Sequence, residues 1–264
     1  MMDAAVTDLR LVQPTMKQFK RVSPSRYTAM QACLLREVWT ASGNTPLLPP
    51  SPRAELGSIS HRILEAAGRG ELGSDENESV DERWNALVSE TEKQMELSPL
   101  RRHQVPLTQS VPDYQVRRLR TCRRAVEIAQ DAHRSPGTHP VQSHSATGFE
   151  IWVESDDGTV GGFIDRAKVT ADGVVLIDYK SGAILESEHE ECPGDLKRGY
   201  RIQLELYAAL YREKTGTWPA RLEIIPLQGE PLEVSFEPGH AEHMLDDAKT
   251  LLGVANDRIA AVQS

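Results

Sequence analysis

The residues Val174-Val175-Leu176-Ile177-Asp178-Tyr179-Lys180 decide the fold. Four consecutive apolar residues predict a strand buried on both faces. Asp178 and Lys180 follow at once, and side chains at i and i+2 leave a strand on the same face. An acid and a base therefore emerge side by side at the end of a buried strand. Unpartnered buried charges are costly, so such groups are paired, metal-bound or functional. From this stretch alone, a structural ion pair and a reactive site are both open.

The upstream residues add a second acid. Gly161-Gly162-Phe163-Ile164-Asp165-Arg166-Ala167-Lys168-Val169 reads as a preceding strand, with a hairpin signal in Ala171-Asp172-Gly173. A turn at Ala171-Asp172 sets Asp165 opposite Asp178. A turn at Asp172-Gly173 sets it opposite Lys180 and diagonal to Asp178. Either register puts Asp165, Asp178 and Lys180 on one face within cross-strand reach. Two carboxylates beside a lysine make a poor core and a good site for a hard divalent cation, which prefers oxygen ligands.

Four short motifs stand in order along the chain: Gly57 to His61, Gly162-Phe163-Ile164-Asp165-Arg166, Asp178-Tyr179-Lys180, and Gln203 to Tyr207. Together they resemble the RecB-like branch of the P-D-(D/E)-x-K nuclease superfamily, over roughly residues 22–236. Ile164 stands where the superfamily has a proline, a departure common in this branch. The resemblance implies an α+β, restriction-endonuclease-like core: a central mixed sheet, flanking helices and a helical N-terminal region. It implies a Mg²⁺- or Mn²⁺-dependent deoxyribonuclease, with exonuclease action expected, in DNA repair, recombination or defence against foreign DNA. By the same likeness, Asp165, Asp178, His61 and the Tyr179 carbonyl hold metal, and Lys180 orients the attacking water. Gln203, Tyr207 and Arg166 contact substrate, with Glu150 and Gly57 in support. DNA is the expected partner, with a helicase or other DNA-processing protein beside it. The rival function is a non-catalytic nucleic-acid-binding or scaffold subunit of a helicase–nuclease complex.

The rest of the chain sets bounds. The 264 residues carry 30 Lys+Arg against 39 Asp+Glu, a formal net charge of −9, which argues against a generally cationic coat for nucleic acid. No apolar run approaches a membrane span, and no apolar signal core opens the chain. Three widely spaced cysteines, Cys33, Cys122 and Cys192, point to a reducing cytoplasm and to no iron–sulfur cluster, which usually takes four thiolates. Cys33 lies on a helix expected from Ser23 to about Thr40 and is expected to be a buried core residue. The expected division is a helical region over 1–147, contributing His61, and a nuclease core over 148–264, in one compact domain.

Ser51-Pro52 opens a second helix bearing Leu56, Ile59, Ile63 and Leu64 on one face. Gly57 lies one turn before His61, which leaves room for an imidazole to reach a metal. Residues 68–80 read as a loop, with helices at about 80–97 and 112–133. The second of these carries Arg117, Arg118, Arg120, Arg123 and Arg124, either a phosphate-contacting face or a solvated one. Pro136 to Thr147 reads as a linker. Residues 183–196 form an acidic loop with Glu186, Glu188, Glu190, Glu191 and Asp195, either a connector or an electrostatic gate.

Overall fold

The computed structural model describes residues 16–44, 48–72, 76–134, 147–186 and 194–263. The sheet has five strands in the spatial order of the chain: β1 (Gly148–Glu154), β2 (Gly161–Thr170), β3 (Gly173–Lys180), β4 (Arg221–Pro226) and β5 (Leu232–Val234). The β3–β4 pair is parallel and the other neighbours are antiparallel. A parallel return needs a crossover, which is the helix α7 (Arg198–Thr215). The fold is the mixed α+β arrangement expected, with helices on both faces of the sheet. Thr170 pairs with Gly173, so Ala171-Asp172 is the turn, and that register continues to Asp165 opposite Asp178.

The predicted first helix is broken. α1 (Pro24–Ala32) and α2 (Leu34–Ala41) are separated at Cys33, whose backbone is extended. Leaving the helix takes the thiol off the face that buries Tyr27 and Met30. Cys33 is exposed, which corrects the core assignment. The next helix, α3 (Pro52–Gly68), starts as its sequence predicts: Ser51 accepts from the Ala54 N–H at 3.2 Å, with proline in the first turn. α4 (Glu76–Glu96) starts within the span expected as loop. A 3-10 turn (Arg102–Gln104) and the short α5 (Leu107–Ser110) precede α6 (Tyr114–Arg134), and α8 (Pro238–Gln263) closes the chain. No described helix is long and apolar enough to cross a membrane.

Strand alternation divides the core in two. Ala167, Leu176, Leu222 and Ile224 face α7, α8 and the α1–α2 segment, where Tyr27, Leu206 and Leu210 pack. Val175, Ile177 and Tyr179 face α3, α4 and α6, where Trp84, Ile63 and Ile128 pack. The described helices before residue 147 thus serve both faces. Trp84 is fully buried and donates to Tyr114 Oη at 2.9 Å, so its truncation would remove a large apolar group and a polar anchor together. β3, between the two layers, is buried from Val175 through Tyr179.

Four of the five α6 arginines are paired. Arg117 meets Asp113 at 2.9 Å, Arg118 meets Asp81 at 3.1 Å, and Arg123 and Arg124 meet Glu127 at 3.2 and 2.7 Å. The expected linker lies outside the described residues except at Thr147, as do Glu188, Glu190, Glu191 and Cys192. The stem of the acidic loop is closed by a Leu185–Leu196 bridge and by the Glu186 N–H on Asp195 O at 2.7 Å.

Candidate active site

The end of β3 carries a triangle of one ion pair and two hydrogen bonds. Lys180 Nζ lies 2.7 Å from Asp178 Oδ2 and donates to Gln203 Oε1 at 3.1 Å, while Gln203 Nε2 donates to Asp178 Oδ1 at 3.1 Å. An amide, with one accepting and one donating end, can serve an ammonium and a carboxylate at once. A glutamate at 203 would set a second anion against Asp178. Gln203 belongs to α7, the crossover that a parallel β3–β4 pair requires, so the topology delivers it here. Tyr200, one turn earlier on α7, lies under the ammonium, with Nζ 4.7 Å from its ring centre. Sequence reasoning missed Tyr200, although its i−3 spacing from Gln203 was a usable signal.

Asp165 joins from β2. Its Oδ2 accepts from the Tyr179 N–H at 2.7 Å, so the acid grips the backbone between Asp178 and Lys180. Tyr179 turns its ring to the opposite face, leaving only its backbone for the site. Burial, then the Asp178 charge, pushes the Asp165 carboxyl well above the usual carboxylate range; the Tyr179 N–H and Lys180 offset this only in part.

His61 reaches the site from α3, with Nε2 3.6 Å from Asp165 Oδ2. Gly57 acts differently from the expectation. A Cβ there would stand 2.9 Å from Ser181 Oγ, so the glycine admits the residue after Lys180 rather than the imidazole. Glu150 approaches from β1 with a backbone φ of 50°, in the left-handed region that non-glycine residues seldom enter. Ladder pairs flank it on both sides, Phe149 with Arg166 and Ile151 with Ile164. Strain held beside converging carboxylates is a mark of a working site. Burial, then Asp165 and Glu65, raise its carboxyl to about 7, against the pull of His61 and Arg69. Glu65, four residues after His61 on α3, was not anticipated either.

Two expected substrate contacts are buried within the protein. Tyr207 is buried behind the site; a Cβ on Gly162 would fall 3.3 Å from its hydroxyl, so the glycine of the Asp165 motif clears space for this ring. Burial, then Asp165 and Asp178, raise its phenol. Arg166 faces the other way from Asp165, as strand alternation demands. It is buried, bonded to Asp131 Oδ2 at 2.7 Å and stacked on Phe149 at 4.7 Å. It ties α6 to the sheet, which corrects its assignment to substrate.

Among the described residues, no three of His, Cys, Asp or Glu already converge as metal ligands. The chemistry nevertheless fits a hard cation. Asp178 Oδ2 is buried and, although it ion-pairs with Lys180, takes no well-formed hydrogen bond. Asp165 is strained electrostatically by Asp178. A divalent ion with carboxylate, carbonyl and imidazole ligands would relieve both.

Comparison with known proteins agrees with this chemistry. No curated protein matches the chain. The profile described as the PD-(D/E)XK nuclease superfamily, whose members generally use divalent metals such as Mg²⁺, matches residues 21–263. With its acids and lysine on the inner strands β2 and β3 of a mixed five-stranded sheet, the chain belongs to the PD-(D/E)XK nuclease superfamily.

Proposed function

We propose that the protein is a Mg²⁺- or Mn²⁺-dependent deoxyribonuclease of the RecB-like branch, cutting from strand ends in DNA repair, recombination or defence. A helicase or another DNA-processing protein as partner belongs to the same proposal. The observation that carries it is the Asp178–Lys180–Gln203 triangle, closed against Asp165 and reached by His61.

Each residue has a role that its surroundings support. Asp165, Asp178, His61 and the Tyr179 carbonyl would hold the metal, which supplies positive charge to the scissile phosphate and a more acidic bound water. Lys180, fixed by Asp178, Gln203 and the Tyr200 ring, presents an oriented ammonium where negative charge grows on the phosphate. Gln203 keeps the lysine and the acid in register. Because Asp165 also holds the Tyr179 N–H, ligand position and backbone position are set by one side chain. Preorganisation of this kind spares the reacting complex the cost of ordering its charges.

The test is cleavage of end-labelled single- and double-stranded DNA by the purified protein with Mg²⁺, Mn²⁺ or a chelator. Cleavage that needs metal and fails in Asp178→Ala is expected. Intact DNA after prolonged incubation of wild type with either metal would overturn the reading.

A further inference from the structure

A cavity of about 700 Å³ opens one residue beyond Lys180, between the start of the acidic loop, the turn from β4 to β5 and the first half of α6. That is the volume of a small-ligand site. Its walls divide by chemistry. Ile184, Leu185, Leu227 and Leu232 give an apolar side, and Arg117 and Arg120 a cationic one. The apolar side is preformed: the Lys197 N–H bonds Ile184 O at 3.0 Å, and Leu185 is bridged to Leu196. Leu185 is nevertheless exposed, an apolar group held open to solvent.

The two arginines differ. Arg117 is committed, with Nε on Asp113 at 2.9 Å and Nη1 on Ser181 O at 3.2 Å, so it braces the chain just past Lys180. Asp113 is also held by Arg53 at 3.2 Å, leaving the cluster net positive. Arg120, one turn further along α6, is exposed, and no ion pair or hydrogen bond engages it among the described residues. Glu230 is the opposing acid on the rim.

We propose that this cavity is a nucleotide subsite, holding one unpaired nucleotide of the strand whose neighbouring phosphate lies at Lys180. Arg120 takes the phosphate, and the base lies against Ile184, Leu185 and Leu232. The inference rests on the nuclease reading above and adds to it a preference for an unpaired strand. Three observations support it: a cation without a partner among the described residues and an apolar wall line one cavity, Ser181 of that lining follows Lys180 directly, and the volume, about 700 Å³, admits a nucleotide. A nucleotide's charged phosphate and flat, largely apolar base match those two walls.

The test is binding of a fluorescent decathymidylate and of a blunt hairpin duplex, with Ca²⁺ as the metal, across a salt series. Arg120→Ala should weaken decathymidylate binding about tenfold at low salt, as loss of one charge-assisted contact does. It should also flatten the plot of log affinity against log salt by about 0.7, one single-strand phosphate contact. Leu185→Asp should weaken the same oligonucleotide. Both variants should leave the duplex nearly untouched, and Arg123→Ala, outside the cavity, should behave as wild type. Wild-type binding by Arg120→Ala and Leu185→Asp, or an equal loss on the duplex, would overturn the subsite. The two proposals fail separately. Cleavage without Arg120-dependent binding removes only the subsite, and Arg120-dependent binding by a protein that never cleaves removes only the nuclease.

Discussion

Asp165 and Arg166 are neighbours on β2 and enter opposite faces of the sheet, where they join two different charge clusters. On the α6 face, Arg166 and Lys168 both bond Asp131, at 2.7 and 2.9 Å. Burial alone would raise the Asp131 carboxyl, but the hydrogen bonds and charges of Lys168 and Arg166 outweigh it and hold it below the usual range. Around the end of β3, Lys180 is shared among Asp178, Gln203 and the Tyr200 ring, while Asp165 and Glu150 are driven upward. One cluster has answered its anion; the other holds anions in excess. A stabilising cluster leaves no anion unanswered, and a cluster built for a cation waits for charge from outside.

The largest expected effect separates the two clusters by activity. Asp178→Ala or Lys180→Ala should lower cleavage by about 10²–10³, the cost of one transition-state charge contact. Asp178→Ala should unfold at nearly the wild-type temperature, because removing its charge also relieves Asp165. A variant that cleaves as wild type, or one that only loses its fold, would erase the distinction.

The α6 cluster should respond the opposite way. Asp131→Ala leaves the Arg166 guanidinium buried with no anion. Breaking a buried pair from one side costs roughly 3–5 kcal/mol. Asp131 is itself 37% exposed, so about 3 kcal/mol, the low end, is expected. Urea unfolding measures it, and Asp131→Leu combined with Arg166→Met should recover most of the loss. A double variant no better than the single one would show that the pair is not what holds α6.

These contrasts also show what the sequence could and could not reveal. β3 was legible because its apolar run and the Asp-x-Lys spacing are local. The hairpin limited the register to two choices, both of which brought Asp165 in. Alternation already put Arg166 across the sheet from Asp165, yet its partner Asp131 is 35 residues upstream, and nothing local names it. Gly57 and Ser181 touch although they lie far apart in sequence, on α3 and just past β3, so the clearance that the glycine provides was invisible. The break at Cys33 was missed because periodicity continues through it.

His61 offers a smaller effect. If its imidazole is a ligand, His61→Ala should weaken metal affinity about tenfold or somewhat more. The loss should be greater for Mn²⁺ than for Mg²⁺, because imidazole suits Mn²⁺ better. Titration calorimetry with each metal reads this directly. Identical isotherms for variant and wild type would leave the histidine a neighbour of Asp165 and nothing more.

The smallest effect is a pH dependence in chelator. Glu150 titrates at about 7 in the folded protein, above an ordinary value of 4.5. The folded state therefore holds a proton that the unfolded state has already released, so the stability it contributes is present below about 4.5 and is lost as pH rises through 7. Asp165, also raised, acts in the same direction. The lowered acids Asp131, Asp113 and Asp157 act with opposite sign, but at or below the ordinary carboxylate range, which leaves the range above it to the raised acids, Glu205 among them, whose burial outweighs the pull of His240 and Arg201. The metal-free melting temperature should fall across that window and level off above it. Glu150→Gln cannot release the proton, so part of the fall should vanish, with the remainder due to Asp165 and Glu205. On the α6 face, Asp131→Asn should leave the fall unchanged, because the lowered acid stays ionised throughout the window. A profile that is flat in wild type, or one that Glu150→Gln leaves unaltered, would mean that the anion excess beside β3 is already relieved within the chain.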